Sequence, residues 1–147
     1  MQNAKFKMQK FDYVKDSFGM ENLKLKMEKN NFKSEFNKRL IKFSLQVIKF
    51  CEQIRKDRNL WPIADQLLRS ATSTGANVIE AKASSSKLDY LRFFQIALKS
   101  ANETNYWLIL ISESNINLKE KANYLIREVE EIAKIIGAGI LTMKGKR

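Results

Sequence analysis

Glu80 and Glu103 stand among polar residues (Asn77, Glu80, Lys99, Asn102, Glu103 and Asn105) that lie close to apolar helix faces. Two carboxylates in one neighbourhood are the groups used in general acid–base hydrolysis, where unlike surroundings push their pKa values apart. That chemistry needs a cleft, and tightly packed helices supply none. The expected role of Asn77, Glu80 and Glu103 is therefore structural: internal hydrogen bonds, or a salt bridge such as Lys99 or Arg69 to Glu80, fixing the register between helices or subunits. Tyr106 and Trp107 read as packing residues with a polar end at a boundary. The chain has no histidine. That removes imidazole acid–base catalysis, Ser-His and Cys-His nucleophiles, His metal ligands and Glu-x-x-His di-iron sites. The expectation is a protein that is not an enzyme and holds no metal or cofactor. Cys51 is the one cysteine; it falls on the apolar side of a helical pattern, so it reads as a buried, inert thiol in a reducing cytoplasm.

The second chemistry is electrostatic. The formal net charge is +11, and it is unevenly spread. Residues 34–58 carry seven basic and three acidic side chains, residues 115–147 seven and four, while 59–86 and 87–114 are each neutral. Lys42, Lys49 and Lys56 recur every seven residues, with Lys38 and Arg39 one turn before Lys42. This is a basic row along one side of a helix. In an antiparallel bundle the first and last helices are neighbours, so Lys119, Lys121, Arg127 and Lys134 extend the same surface. A row of point charges binds phosphate backbones through counterion release, without reading sequence. A solvated lysine-rich face is the equally weighted alternative, and membrane-surface binding a minor one. No Gly-rich phosphate loop, recognition helix or aromatic-interleaved RNA platform is evident.

The elements that must carry these residues are helices. One proline and five glycines in 147 residues leave few breakers. The first helix is expected over Ser34–Arg58, with Ser34 as N-cap; Phe36, Leu40, Phe43, Val47, Phe50 and Ile54 alternate steps of four and three. A second apolar set, Ile41, Leu45 and Ile48, lies away from that stripe and marks either an oligomer interface or one wide buried face. Pro62 suits the first turn of a second helix over Pro62–Ala83. That helix contains Ser70-Ala-Thr-Ser-Thr-Gly-Ala76, whose small side chains let a neighbour approach closely, although Gly75 weakens the helix by roughly 1 kcal/mol. Ser84-Ser85-Ser86 is a loop, and Ser86 with Asp89 forms a capping-box-like pair. The third helix is expected over Lys87–Ser114. The fourth starts at Leu118, capped by Asn117, and runs to about Ile136, where Gly137 and Gly139 weaken it, with Ile140, Leu141 and Met143 as a candidate continuation of its apolar face. Four such helices with short loops make an all-α, antiparallel up-down-up-down four-helix bundle. No apolar run reaches the roughly 20 residues that span a bilayer, so no membrane-spanning helix is expected.

Residues 1–33 read as a separate basic arm, weakly structured or a start-site extension, with the domain beginning near Met27; a short helix packed on the body is the other reading. The bundle domain is residues 34–147.

The run Arg69-Ser-Ala-Thr-Ser-Thr-Gly-Ala-Asn-Val-Ile-Glu-Ala81 resembles the signature of the 23S rRNA intervening-sequence protein family. Phe43 to Ile48, Leu98-Lys-Ser-Ala-Asn-Glu-Thr-Asn-Tyr-Trp-Leu108, and Leu125 to Ile136 with Thr142-Met-Lys144 resemble further family segments in order, over about residues 36–144; Thr74 departs, standing where an aliphatic residue is commoner. The resemblance implies a homopentameric ring of four-helix bundles and an unsettled molecular function. Some members are encoded within insertions in 23S rRNA genes. A related family, the accessory variability determinant of diversity-generating retroelements, looks similar; it binds nucleic acid and a reverse transcriptase, which makes RNA, DNA or such a protein partner an expectation here. Five copies would carry about +55, favouring polyanions.

Overall fold

The structure, a computed structural model, describes residues 17–145. The chain divides into two compact units, Met1–Phe36 and Asn37–Arg147. Four α-helices run through the described residues: α1 Ser17–Ile54, α2 Trp61–Glu80, α3 Lys87–Ser114 and α4 Ile116–Met143. No strand occurs among the described residues.

In the first unit, α1 begins at Ser17 and not at the expected Ser34. Residues 20–33 contain no proline and no glycine, and Met, Glu, Leu and Lys there are good helix formers. A serine caps a helix only where the helix starts, so Ser34 simply continues it. The expected weakly structured arm is therefore helical from Ser17 onward, while residues 1–16 of that arm lie outside the described residues. Phe32 and Phe36 stack with ring centroids 6.4 Å apart.

In the second unit the helices form a closed antiparallel set, each step fixed by contacts that move in opposite senses along neighbouring helices. An added Cβ on Gly75 of α2 would meet Leu40 and Ser44 of α1, while Cys51 Sγ lies 3.6 Å from the Ala64 carbonyl. Ser73 and Ser100 pair their hydroxyls at 2.9 Å between α2 and α3, and the Ser70 and Thr104 hydroxyls lie 3.0 Å apart. Ser112 Oγ donates to Asn123 Oδ1 at 2.8 Å between α3 and α4. Arg39 meets Glu128 between α1 and α4. The hydroxyl-rich run of α2 thus does more than keep side chains small. Its buried Ser70 and Thr74 bond to helix carbonyls and across the seam to α3, so no polar atom of the pair is left unmet.

The stripe predicted for α1 is buried. Leu40, Phe43, Val47, Phe50 and Ile54 of α1 are buried, as are Leu67, Ala71 and Val78 of α2, Ala97, Ala101, Leu108 and Ile111 of α3, and Leu125, Val129, Ile132 and Ile136 of α4. Each large side chain among them contributes roughly 1.5–3 kcal/mol by leaving water. That burial also carries α4 past Gly137 and Gly139 to Met143, because Ile140 keeps the buried register; packing outweighs the glycines' low propensity.

The connections are short. Asp57 Oδ1 accepts from Asn59 N at 2.9 Å and caps a 3-10 turn over Arg58–Leu60. Trp61 Nε1 donates to the Arg55 carbonyl at 2.7 Å, satisfying a carbonyl at the end of α1. α2 ends at Glu80, and Ala81–Ala83, expected within the helix, tighten into a 3-10 turn. Ser86 Oγ caps α3 by accepting from Asp89 N at 3.0 Å, as its spacing predicts. A single residue, Asn115, joins α3 to α4. Its side chain, and not that of Asn117, caps α4, accepting from Asn117 N at 3.0 Å.

Candidate nucleic-acid interface

Lys42 and Lys49 share one exposed row of α1, and Lys56 is exposed in the turn just past its end. Seven residues at 1.5 Å each put Lys42 and Lys49 about 10 Å apart along the axis. None of the three, and not Arg127 of α4, makes an ion pair among the described residues. Lys38 is also exposed, one turn before Lys42.

The remaining predicted cations are not all available. Arg39 donates through Nε to Glu128 Oε1 at 2.6 Å and through its Nη2 to Oε2 at 3.0 Å. This two-pronged, half-buried pair ties α1 to α4, and the hydrogen bond that Arg39 donates to Glu128 raises the guanidinium pKa. Lys134 donates to Glu131 at 2.8 Å; that bond raises the lysine and lowers the carboxylate. Lys119 lies 3.7 Å from Glu113. The free positive surface is therefore narrower than the sequence suggests: Lys42, Lys49 and Lys56, with Lys121 and Arg127. The sequence shows each charge, but which carboxylate meets which cation depends on interhelical register.

The residue the sequence reading passes over is Tyr124. It stands beside the lysine row on α4, 43% exposed. Gln46 of α1 donates to its hydroxyl at 3.4 Å, and the Lys121 ammonium sits 5.8 Å from its ring centroid. Its signal in the sequence is only its position three residues after Lys121.

The polar residues of α2 and α3 do not form a carboxylate pair. Arg69 faces Glu103, and Ser73 faces Ser100. Continuing that register places Glu80 about ten residues along, roughly 15 Å, from the level of Glu103. The expected partner of Glu80 is also corrected. Arg69 binds Glu103 and Gln66 instead, Trp107 Nε1 donates to Glu103 at 3.2 Å, and Glu80 lies exposed at the end of α2. Asn77 Nδ2 bonds to the Ser73 carbonyl at 2.8 Å and hydroxyl at 3.1 Å, a structural role. Cys51 is fully buried, and burial pushes its thiol up to about 11. Among the described residues there is no group of three potential metal ligands, and no helix is long and apolar enough to cross a membrane.

Ile41, Leu45 and Ile48 are 52%, 54% and 41% exposed, so they are not the margin of one wide buried face. The α1–α2 register brings half-buried Leu68, Thr72 and exposed Ile79 to the same outer edge.

With this geometry in view, the family model described as "23S rRNA-intervening sequence protein" matches residues 33–138. The chain belongs to that family. A crystal structure of a protein of unknown function from the S23 ribosomal protein family of Bacteroides thetaiotaomicron matches with a TM-score of 0.67 and 30% identity. The match covers 71% of this chain and 97% of that one. No curated protein matches the chain.

Proposed function

We propose that the protein is a non-enzymatic, homo-oligomeric helical bundle that binds RNA or DNA through the outer surface of α1 and α4 without strong sequence preference. The observation that carries this reading is the row Lys42, Lys49 and Lys56, exposed and free of ion pairs, with Lys121 and Arg127 on α4. Lysines about 10 Å apart present point charges and no fixed donor pattern, which suits a phosphate backbone and not a base edge. The apolar edge at Ile41, Leu45 and Ile48 supports self-association, and the family resemblance supports five copies. A ring would repeat the basic surface around its circumference and raise affinity by multivalency. The reducing cytoplasm is the proposed setting.

The test is binding of the purified full chain to structured RNA and duplex DNA across a salt series. The expected result is sub-micromolar affinity near physiological salt and a log–log slope of several units. Lys42→Glu with Lys49→Glu should abolish binding while leaving helicity intact. Each neutralised phosphate contact contributes about 0.9 to the slope.

A structural scaffold is the second reading. It is favoured by the same apolar edge and by the neutralisation of Arg39, Lys119 and Lys134. It predicts a stable assembly, no nucleic-acid affinity at physiological salt, and a protein partner, for which a reverse transcriptase is one class to test.

A further inference from the structure

We infer that the α1–α4 surface takes single-stranded nucleic acid in particular, with an unpaired base stacked on Tyr124. This deepens the proposed function and rests on it. The contacts Arg39 to Glu128 and Gln46 to Tyr124 fix the register of α4 against α1. Lys42 and Lys49 stand four residues before and three after Gln46, on the same outer side of α1. Tyr124 therefore sits level with the gap between two cations, and Lys121, one turn before it on α4, supplies a third. The ring is 43% exposed and is anchored at its hydroxyl by Gln46.

An aromatic face flanked by ammonium groups is the minimal unit of a single-strand site: the cations follow the backbone, and the ring takes a base of any identity. A duplex cannot use the ring, because its bases are stacked on each other and reach a protein only through their edges. The neutral α2–α3 side also exposes an aromatic, Tyr106 at 55%, but residues 59–114 carry no net charge. At Tyr124 an exposed ring lies beside lysines that form no ion pair among the described residues.

The probes are unstructured oligouridylate and oligothymidylate and a DNA duplex of equal length, with binding to the full chain followed by anisotropy. Tyr124→Ala should weaken both single strands about 5- to 100-fold and leave duplex binding unchanged. The salt slope should not move, because no charge is removed. Tyr124→Phe should keep wild-type affinity, since stacking needs the ring and not the hydroxyl. Equal affinity of Tyr124→Ala and wild type for single strands would overturn this inference and leave the proposed function standing. A parallel loss on duplex and single strands would also overturn it, by showing a general distortion of the surface. Absence of any binding by the wild type would remove the proposed function and this inference together. Tyr124→Ala removes an exposed side chain, so its far-UV dichroism should match the wild type.

Discussion

Gly75 lies buried where α2 meets α1, which invites the conclusion that only glycine fits there. The geometry argues otherwise. A Cβ at residue 75 would meet Leu40 Cβ at 3.5 Å and Ser44 Oγ at 3.7 Å, with the Leu40 carbonyl at 3.9 Å. These are ordinary contact distances, so Gly75→Ala fills space without displacing α1. Replacing glycine by alanine inside a helix contributes about 0.8–1 kcal/mol, and burying one methyl about 0.8 kcal/mol. The expected gain is about 1–2 kcal/mol, which for a chain of this size raises Tm by roughly 2–8 °C. Two other glycines calibrate the result. At Gly137 an added Cβ meets nothing within 4 Å, so Gly137→Ala should give the propensity gain alone. At Gly139 the Cβ would come within 3.3 Å of the Phe94 ring. Gly139→Ala should therefore gain less than Gly137→Ala, by whatever it costs to shift the ring. The assay is thermal unfolding by circular dichroism at one fixed protein concentration, because self-association of the kind proposed would make Tm depend on concentration. A lower Tm for Gly75→Ala beside a raised Tm for Gly137→Ala would refute the reasoning. It would mean that α1 and α2 need the bare backbone contact.

Leu45→Glu places a charge on the exposed apolar edge of α1 and should reduce the proposed oligomer to smaller species by light scattering, with helicity unchanged; an unaltered mass would exclude this edge as the contact. Arg39→Met leaves Glu128, 23% exposed, without its two charge-assisted bonds. Because Arg39 is itself 37% exposed, a destabilisation of about 1 kcal/mol is expected by chemical denaturation. Burial raises the Cys51 pKa from 9.0 to about 11, so between those values the folded state holds a proton that the unfolded state has lost. Stability should be insensitive to this thiol below pH 9 and fall by up to about 1.4 kcal/mol per pH unit as pH rises above it. The comparison is with Cys51→Ala, which should lack that increment of slope.

The helices were legible in the sequence because burial imposes a period: Leu40, Phe43, Val47, Phe50 and Ile54 are apolar for the same reason that they are buried. Ends were less legible. Ser34 and Asn117 have the chemistry of caps, but a cap forms only where the backbone leaves the helix, and good helix formers before Ser34 give it no reason to do so. Gly137 and Gly139 weaken α4 locally, yet the buried Ile136 and Ile140 on either side hold it. The charged residues were the least legible. Arg39 and Lys42 are three positions apart and chemically alike, but one faces Glu128 and the other faces solvent. Likewise Arg69 meets Glu103 and not Glu80, because the seam of Ser73 and Ser100 sets the offset between α2 and α3. Such pairings depend on which residue is opposite, a relation that no single helix encodes.

The two proposed uses of α1 interfere with each other, and salt separates them. Leu45 lies three residues after Lys42 and four before Lys49, so it shares their row. An interface that buries Leu45 must accept the methylene stems of both lysines and leave their ammonium groups at its rim. Copies brought together there then confront like charges, since each chain carries +11 and self-repulsion opposes compact assembly. Added salt screens that repulsion over about 10 Å at 0.1 M and should strengthen the oligomer, whereas it weakens phosphate binding by competing for the same cations. Sedimentation and anisotropy measured on one salt series should therefore move in opposite directions. If both weaken together as salt rises, the assembly is held by ion pairs and not by the apolar edge at Ile41, Leu45 and Ile48.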